Sequence, residues 1–147
     1  MTLRLVGGAL LAATVSLATS TASFAQSSSA LEINAPLVSQ PGDVVRGRAI
    51  VLSRQSGLCI LCHSGPFPEE RFQGNMAPDL GVSAQRLTAS QLRARIVDAS
   101  VFNPETIMPA YYRPTGLNRV APGYAGKTLL TGQEIEDVVA FLVSLKP

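Results

Sequence analysis

The chain has 147 residues, with 12 basic and 10 acidic side chains, two cysteines, one histidine and no tryptophan. A chain of this length holds one small domain. Its near balance of charge excludes the basic stripe of a nucleic-acid-binding protein, and only one segment approaches the apolar character of a membrane span.

That apolar segment lies at the N-terminus, where Arg4 precedes a run from Leu5 to Val15. The run fades into polar residues, and Ser23-Phe24-Ala25 places small residues at the two positions that a signal peptidase reads. We therefore expect residues 1–25 to be a signal peptide, cleaved after Ala25, which leaves 122 residues with 11 basic and 10 acidic side chains. No cysteine stands at the end of the run as a lipid attachment site, so the pattern predicts a soluble periplasmic protein without membrane insertion.

A leader and a first helix are predicted after the signal peptide. Residues 26–41 read as an extended leader, anchored by apolar residues such as Leu31 and Ile33. The domain is then expected to span residues 42–147. Its first helix is predicted from residue 41 to residue 54, because apolar residues recur at helical spacing at Val45, Ala49 and Leu52.

The next stretch, from Ser64 to Gly81, is dense in glycine and proline and predicts a long ordered loop. Two capping boxes follow, Thr88-x-x-Gln91 and Thr131-x-x-Glu134, and each predicts the start of a helix. The first of these helices is expected from about Ala89 to Ser100, with residues 103–127 irregular after it. The apolar faces of the two helices are predicted to be Leu92, Ile96 and Ala99 in one, and Ile135, Val138, Val139 and Leu142, with Phe141 beside them, in the other.

No segment alternates over enough residues to predict a sheet. The predicted fold class is therefore all-α, with short helices and long loops. Loops of this length are unusual in a compact domain unless something inside organises them, and a buried cofactor would do so.

Reactive side chains cluster only at Cys59-Ile-Leu-Cys62-His63. This is the C-x-x-C-H pattern of covalent c-type haem attachment, in which two thiols three residues apart bond to the porphyrin and the adjacent imidazole binds the iron. The spacing therefore predicts one covalent haem c, attached to Cys59 and Cys62, with His63 as a metal ligand.

Three other uses of the motif fit the sequence less well. A disulfide would close a very small loop, and a thioredoxin-like redox pair needs a βαβ context that the sequence lacks. A zinc site needs four ligands, whereas the whole chain offers two cysteines and one histidine. Haem attachment is the interpretation that these counts favour.

The second axial ligand must come from Met76, Met108 or Lys127, since His63 is already used. Met108 is favoured, because it lies far enough along the chain to reach the opposite face of the haem and Pro109 stiffens the backbone behind it. Its alternative role is to fill the core. Pro78 has two equally supported roles, as a turn residue or as the source of a carbonyl that accepts from the His63 ring.

Together the haem motif, the stretch from Pro78 to Val82, the loop from Asn103 to Tyr112 and the helix around Glu136 to Leu142 resemble a small soluble cytochrome c. The similarity is greatest to the SoxX family, the monohaem subunits of the SoxAX thiosulfate-oxidising complex. It covers about Gly42 to Lys146. The resemblance implies His63 and Met108 as axial ligands, and a close contact of the first and last helices that sets Gly47 against Val138 and Phe141.

The resemblance also implies a function. Electrons released when thiosulfate is joined oxidatively to a cysteine of a SoxYZ-like carrier would pass through this chain to a downstream acceptor. The haem motif uses both thiols and the sole imidazole, which leaves no cysteine nucleophile and no histidine base. Catalysis by such an L-cysteine S-thiosulfotransferase is then expected on the partner, a SoxA-like dihaem cytochrome, with no catalytic residue in this chain.

Two alternatives stay open at this point. One is a free-standing periplasmic electron carrier with several partners, and the other is a haem-based ligand sensor, against which an occupied sixth position argues. The aromatic residues of the loops have two possible uses, either as a docking rim around the haem edge or as a wrapping for the haem itself. These aromatics are Phe67, Tyr111, Tyr112 and Tyr124.

Overall fold

Four α-helices and three short 3-10 helices make up the architecture in the computed structural model, which describes residues 31–147. The α-helices are α1 (Val44–Leu52), α2 (Leu80–Arg86), α3 (Ala89–Val97) and α4 (Gly132–Ser144), and the 3-10 helices are Cys59–Leu61, Ala99–Val101 and Pro122–Tyr124. Within this range no strand forms, and the only β-type pairing is an isolated bridge between His63 and Ala77. The all-α prediction is confirmed.

The signal peptide predicted at residues 1–25 and its cleavage site lie outside the described residues. Among the helices that are described, none is both long enough and apolar enough to cross a lipid bilayer.

Helix α4 is the centre of the core. It begins at the predicted capping box, in which the Thr131 hydroxyl accepts from the Glu134 N–H and the Glu134 carboxylate accepts from the Thr131 N–H. The predicted apolar face is confirmed, since all of its members are buried: Ile135, Val138, Val139, Phe141 and Leu142. Helices α1, α2 and α3 all pack against it.

Helix α3 also begins at its predicted capping box, between Thr88 and Gln91. It ends at Val97 rather than at Ser100, because Asp98 adopts an extended conformation with φ −158° and ψ 97°. The Asp98 carboxylate then accepts from the Ser100 N–H and starts the 3-10 helix Ala99–Val101. The predicted buried face is confirmed at Leu92, Ile96 and Ala99.

Helix α1 lies where it was predicted, but its predicted apolar face was wrong at Val45 and Ala49, and of its three members only Leu52 packs against the core. Val45 is 78% exposed and Ala49 is also exposed, whereas Gly47 and Val51 are buried. The reason is a close approach of α1 to α4, in which a Cβ on Gly47 would overlap the carbonyl of Asp137 and the Cβ of Phe141. The helix turns its smallest residue toward α4, and that contact outweighs the apolar stripe.

Helix α2 was missed, since the sequence predicted a loop as far as Gly81. The Asp79 carboxylate caps it by accepting from the Val82 N–H, and Leu80 and Ala84 are buried. An aspartate directly after Pro78 was the available signal, because aspartate is a strong N-cap residue.

Two buried carboxylates on α4 bind the N-terminal part of the described chain. Arg93 forms a bidentate pair with Glu136, at 2.7 and 2.8 Å, and both side chains are only 7% exposed. The same two side chains hold the leader, since Arg93 donates to the Ile33 carbonyl at 2.7 Å and Glu136 accepts from the Leu37 N–H at 3.0 Å. The leader is therefore anchored through its backbone, and the expected anchor Leu31 is 41% exposed.

The neighbouring carboxylate, Asp137, binds the start of α1. It accepts from Arg46 Nε at 2.7 Å and from the Asp43 N–H at 2.8 Å. The hydrogen bond from Arg46 lowers the pKa of Asp137 against the opposing effect of burial. Burial alone would raise the pKa of Glu136, but the hydrogen bonds from Arg93 and Leu37 outweigh it, and that pKa is lowered too.

The close helix contact predicts the effect of Gly47→Ala. We expect this variant to lower the free energy of unfolding by about 2 kcal/mol, because overpacking costs about 1 to 3 kcal/mol and exceeds the better helix propensity of alanine. Denaturant unfolding followed by circular dichroism measures the change. Gly123→Ala is the matched control, since an added Cβ there meets nothing within 4 Å. Equal stability of Gly47→Ala and wild type would contradict the close approach.

The lowered pKa of Glu136 predicts a specific pH dependence. Its contribution to stability is complete above the ordinary glutamate pKa of about 4.3 and is lost as the pH falls through the lower pKa of the folded state. We expect Glu136→Gln to lower the free energy of unfolding by about 3 kcal/mol at pH 7, because it leaves the buried Arg93 without its charge partner.

Below about pH 4.3 the difference between this variant and wild type should shrink. Denaturant unfolding at several pH values tests this, with the exposed Glu105→Gln as control. A constant difference across the acid range would show that the Glu136 pair does not set this part of the pH dependence.

Candidate functional site

The cysteine motif forms one turn of 3-10 helix directly after the loop that follows α1. Leu58 enters this turn in the left-handed region, with φ 60°, and the turn closes through hydrogen bonds from the Cys62 and His63 N–H groups to the Cys59 carbonyl, at 3.1 and 2.9 Å. Residues three apart lie on the same side of such a turn. Cys59 and Cys62 therefore face the same way, with His63 at the end of the turn.

A second segment, residues 74–80, runs beside the motif and fixes it. The N–H groups of Gly74, Ala77 and Leu80 donate to the carbonyls of Ile60, Cys62 and Ser64, at 2.9, 3.0 and 2.8 Å. Gly74 has to be glycine at this separation, since a Cβ would overlap the Leu61 carbonyl. The predicted loop thus acts as a rigid support for the motif.

His63 is oriented by the carbonyl of Pro78, which lies 2.6 Å from its Nδ1. A carbonyl oxygen can only accept a hydrogen bond, so Nδ1 carries a hydrogen and Nε2 is the ring nitrogen that remains available for a metal. The sequence allowed this contact as one of two roles for Pro78. The observed distance fits the role in which the Pro78 carbonyl accepts from the His63 ring.

Asp79 holds Pro78 in place from the other side. Its carboxylate accepts from the Ser64 hydroxyl at 2.9 Å and from the Val82 N–H at 3.1 Å. These hydrogen bonds, led by that of Val82, lower the pKa of Asp79. One carboxylate thereby ties the residue after His63 to the start of α2.

The two cysteines are free thiols, and both are partly buried. Burial raises the pKa of Cys59 to about 11, so its thiol is neutral at ordinary pH. In the part of the chain that is described, no three histidine, cysteine, aspartate or glutamate side chains converge as a metal-binding group. This arrangement lacks the ligands of a zinc site.

The candidates for the second axial ligand differ in burial. Met108 is partly buried and packs against the hydrophobic core, and its N–H donates to the Thr106 hydroxyl at 3.2 Å. Met76 is 67% exposed. Lys127 is exposed, and its ammonium group donates to the Gly123 carbonyl at 3.0 Å. Of the three side chains, only that of Met108 is held by the protein core.

The loop aromatics fall into two groups that the sequence did not separate. Phe67 and Tyr111 are buried, at 1% and 3% exposure, and Phe67 stacks on Phe141 at 6.0 Å between ring centroids. Tyr112 and Tyr124 are exposed, at 36% and 54%. A docking rim can therefore include Tyr112 and Tyr124, but not Phe67 or Tyr111.

A cavity of about 330 Å³ opens beside the loop that follows Met108. Its lining combines Pro109 and Ala110 with residues of the loop before α4, among them Arg119, Tyr124 and Lys127. Residues 111–131 contain no acidic side chain, so the charged groups of this loop are all basic.

No protein-family model matches the chain, and no curated protein matches it. Among solved structures, a chain in the crystal structure of SoxXA from P. pantotrophus is similar to it, with 36% sequence identity and a TM-score of 0.72. The match covers 79% of this chain and 90% of that chain. The chain belongs to the SoxX family.

Membership of the SoxX family confirms the resemblance and the small all-α cytochrome c fold. The donor set fits the c-type haem that this family implies, because it offers two free thiols on one side of a turn and an imidazole whose Nδ1 is held by a carbonyl, which leaves Nε2 for the iron. Met108 adds a thioether held against the core.

The difference in burial between the two methionines predicts different effects of removing them. We expect Met108→Ala to abolish the weak sulfur-to-iron charge-transfer band of the oxidised protein, and Met76→Ala to leave it unchanged. Absorption spectroscopy of the two purified variants measures this. A band that persists in Met108→Ala would rule out Met108 as the axial ligand.

Proposed function

We propose that this chain is the monohaem electron-transfer subunit of a SoxAX complex that acts in the periplasm. The observation that carries the proposal is the turn Cys59–His63, with Nδ1 of His63 bound to the Pro78 carbonyl, in a chain 36% identical to one of SoxXA. A one-electron redox couple is the chemistry that haem c supplies when it is bound.

Each residue of the site has a distinct role in this proposal. Cys59 and Cys62 hold the cofactor as thioethers, and His63 binds the iron through Nε2. The Pro78 carbonyl fixes the imidazole and raises its basicity by accepting a hydrogen bond from Nδ1–H. Met108 supplies the second axial ligand, and a thioether there raises the reduction potential relative to a second imidazole.

The substrate chemistry is assigned to the partner. Joining thiosulfate oxidatively to a cysteine of a SoxYZ-like carrier releases electrons, which this chain would pass to a downstream acceptor. Its two cysteines and its single histidine are all engaged in the site, so the nucleophile and base of sulfur–sulfur bond formation belong to a SoxA-like dihaem cytochrome.

The domain organisation is part of the same proposal. Residues 1–25 act as a signal peptide and direct the chain to the periplasm, residues 26–41 form the leader, and residues 42–147 form the cytochrome domain. The hydrogen bonds of Ile33 and Leu37 support a leader that is attached to the domain from residue 33 onward.

The alternative is a free-standing electron carrier. A permanent subunit buries a large interface with its partner, whereas a shuttle uses a small one. The mature chain is close to neutral overall, which favours the permanent complex.

Covalent attachment is tested by producing the chain with its own N-terminus in a bacterium that attaches haem c. We expect a red protein that starts at residue 26 and whose mass exceeds that of residues 26–147 by one haem. Cys59→Ala and Cys62→Ala should each leave a single thioether, visible as a shift of the pyridine haemochrome band. A colourless protein with the mass of the bare chain would overturn the proposal.

The complex is tested by purification of the protein from its native periplasm. A larger cytochrome is expected to co-purify at one-to-one stoichiometry, identified by mass spectrometry. Elution as a lone monomer would contradict the SoxAX assignment and favour the free carrier.

A further inference from the structure

Tyr111 lies where three segments of the chain cross behind the site. It is only 3% exposed and follows Met108 by three residues. Its N–H donates to the Ile96 carbonyl of α3 at 3.2 Å, and its carbonyl accepts from the N–H groups of Leu129 and Leu130, at 2.9 and 3.2 Å. The backbone of the Met108 loop is thereby fixed at Tyr111.

The Tyr111 side chain reaches the loop that carries the first cysteine. Its hydroxyl donates to the Gly57 carbonyl at 2.5 Å, across 54 residues of sequence. Gly57 is buried and precedes Cys59 by two residues. This hydrogen bond joins the loop of Met108 to the loop of Cys59.

The Gly57 carbonyl has two donors among residues 31–147, the Tyr111 hydroxyl and the Cys59 thiol at 3.3 Å. Attachment of Cys59 adds its thiol across a vinyl group: the carbon–sulfur bond forms, the thiol hydrogen passes to the neighbouring carbon, and no electron is gained or lost. The thioether sulfur can no longer donate. Tyr111 then remains as the single donor to this buried carbonyl.

We infer that Tyr111 is a positioning residue that keeps Met108 bound by tying the Met108 loop to the haem-attachment loop. The inference rests on the proposed function, since it needs Cys59 as a thioether and Met108 as an axial ligand. Beyond that function, it assigns a role to Tyr111, whose hydroxyl contacts the Gly57 carbonyl and would act on Met108 only through the backbone.

The buried carbonyl of Gly57 needs a hydrogen-bond donor. Removal of the hydroxyl leaves the buried Gly57 carbonyl without a donor, and a buried polar group without a partner strongly disfavours the state that contains it. The loops can relieve this cost by separating, which admits water to Gly57 and withdraws Met108. The equilibrium constant for loss of Met108 should therefore rise about tenfold in Tyr111→Phe.

The experiment compares haem-loaded wild type with three variants: Tyr111→Phe, Tyr112→Phe and Met108→Ala. Tyr112→Phe is the matched control, because it removes the same group from the neighbouring, more exposed tyrosine. Each protein is titrated with guanidinium chloride, and two midpoints are recorded. One is the loss of the sulfur-to-iron band, and the other is the loss of helical circular dichroism.

In Tyr111→Phe we expect the sulfur-to-iron band to disappear at a clearly lower denaturant concentration than the helical signal. Carbon monoxide can bind only after Met108 leaves, so it should bind the reduced variant about tenfold faster than wild type. Tyr112→Phe should match wild type. A Tyr111→Phe protein whose two midpoints fall together, or do not move, would show that the hydroxyl has only a general structural role, and the inference would fail.

Met108→Ala separates this failure from failure of the proposed function. If its band persists, the axial assignment is wrong and the inference falls with it. If its band is lost while Tyr111→Phe keeps the band as firmly as wild type does, the axial assignment stands and only the inference on Tyr111 is overturned.

Discussion

The close approach of α1 to α4 at Gly47 is the contact on which the rest of the structure depends. It brings the α1 backbone against the Asp137 carbonyl, one helix before the cysteine turn. Two carboxylates on α4 extend this contact. Asp137 binds the start of α1, and Glu136, paired with Arg93, binds α3 and the leader. Helix α4 thus contacts the other three α-helices and the leader.

On this frame the site is assembled from loops rather than from helix faces. The cysteine turn, the segment from Gly74 to Leu80 and the loop after Met108 contain little regular structure, and each is fixed by hydrogen bonds to another. His63 binds Pro78, Ser64 binds Asp79, and Tyr111 binds Gly57. A site of this kind suits an enclosed cofactor, because loops can surround it from several directions.

The small number of reactive side chains explains why the proposed complex needs a second subunit for the sulfur chemistry. A chain with two cysteines and one histidine can bind one haem c but then has no further thiol or imidazole for sulfur chemistry. Among its remaining polar groups near the site, the Pro78 carbonyl contacts Nδ1 of His63 and the Tyr111 hydroxyl donates to the Gly57 carbonyl. Electron transfer requires no more than this, since the reacting group is the cofactor itself.

The sequence by itself determined the features that depend on neighbouring residues. The capping boxes at Thr88 and Thr131, the buried face of α4 and the spacing of the cysteine motif are all readable within a few positions, because a helix turn or a tight turn is a local structure. The sequence allows Pro78 to be a turn residue or a partner of His63, and in the structure its carbonyl lies 2.6 Å from Nδ1 of His63.

Only the tertiary structure decided which side of α1 is buried, that Phe67 and Tyr111 lie in the core, and that Glu136 pairs with Arg93 over 43 residues. Each of these depends on a surface contributed by a distant segment. Val45 is as apolar in the sequence as a core residue, yet it faces solvent, because the absence of a Cβ at Gly47 allows a closer contact than any larger side chain could.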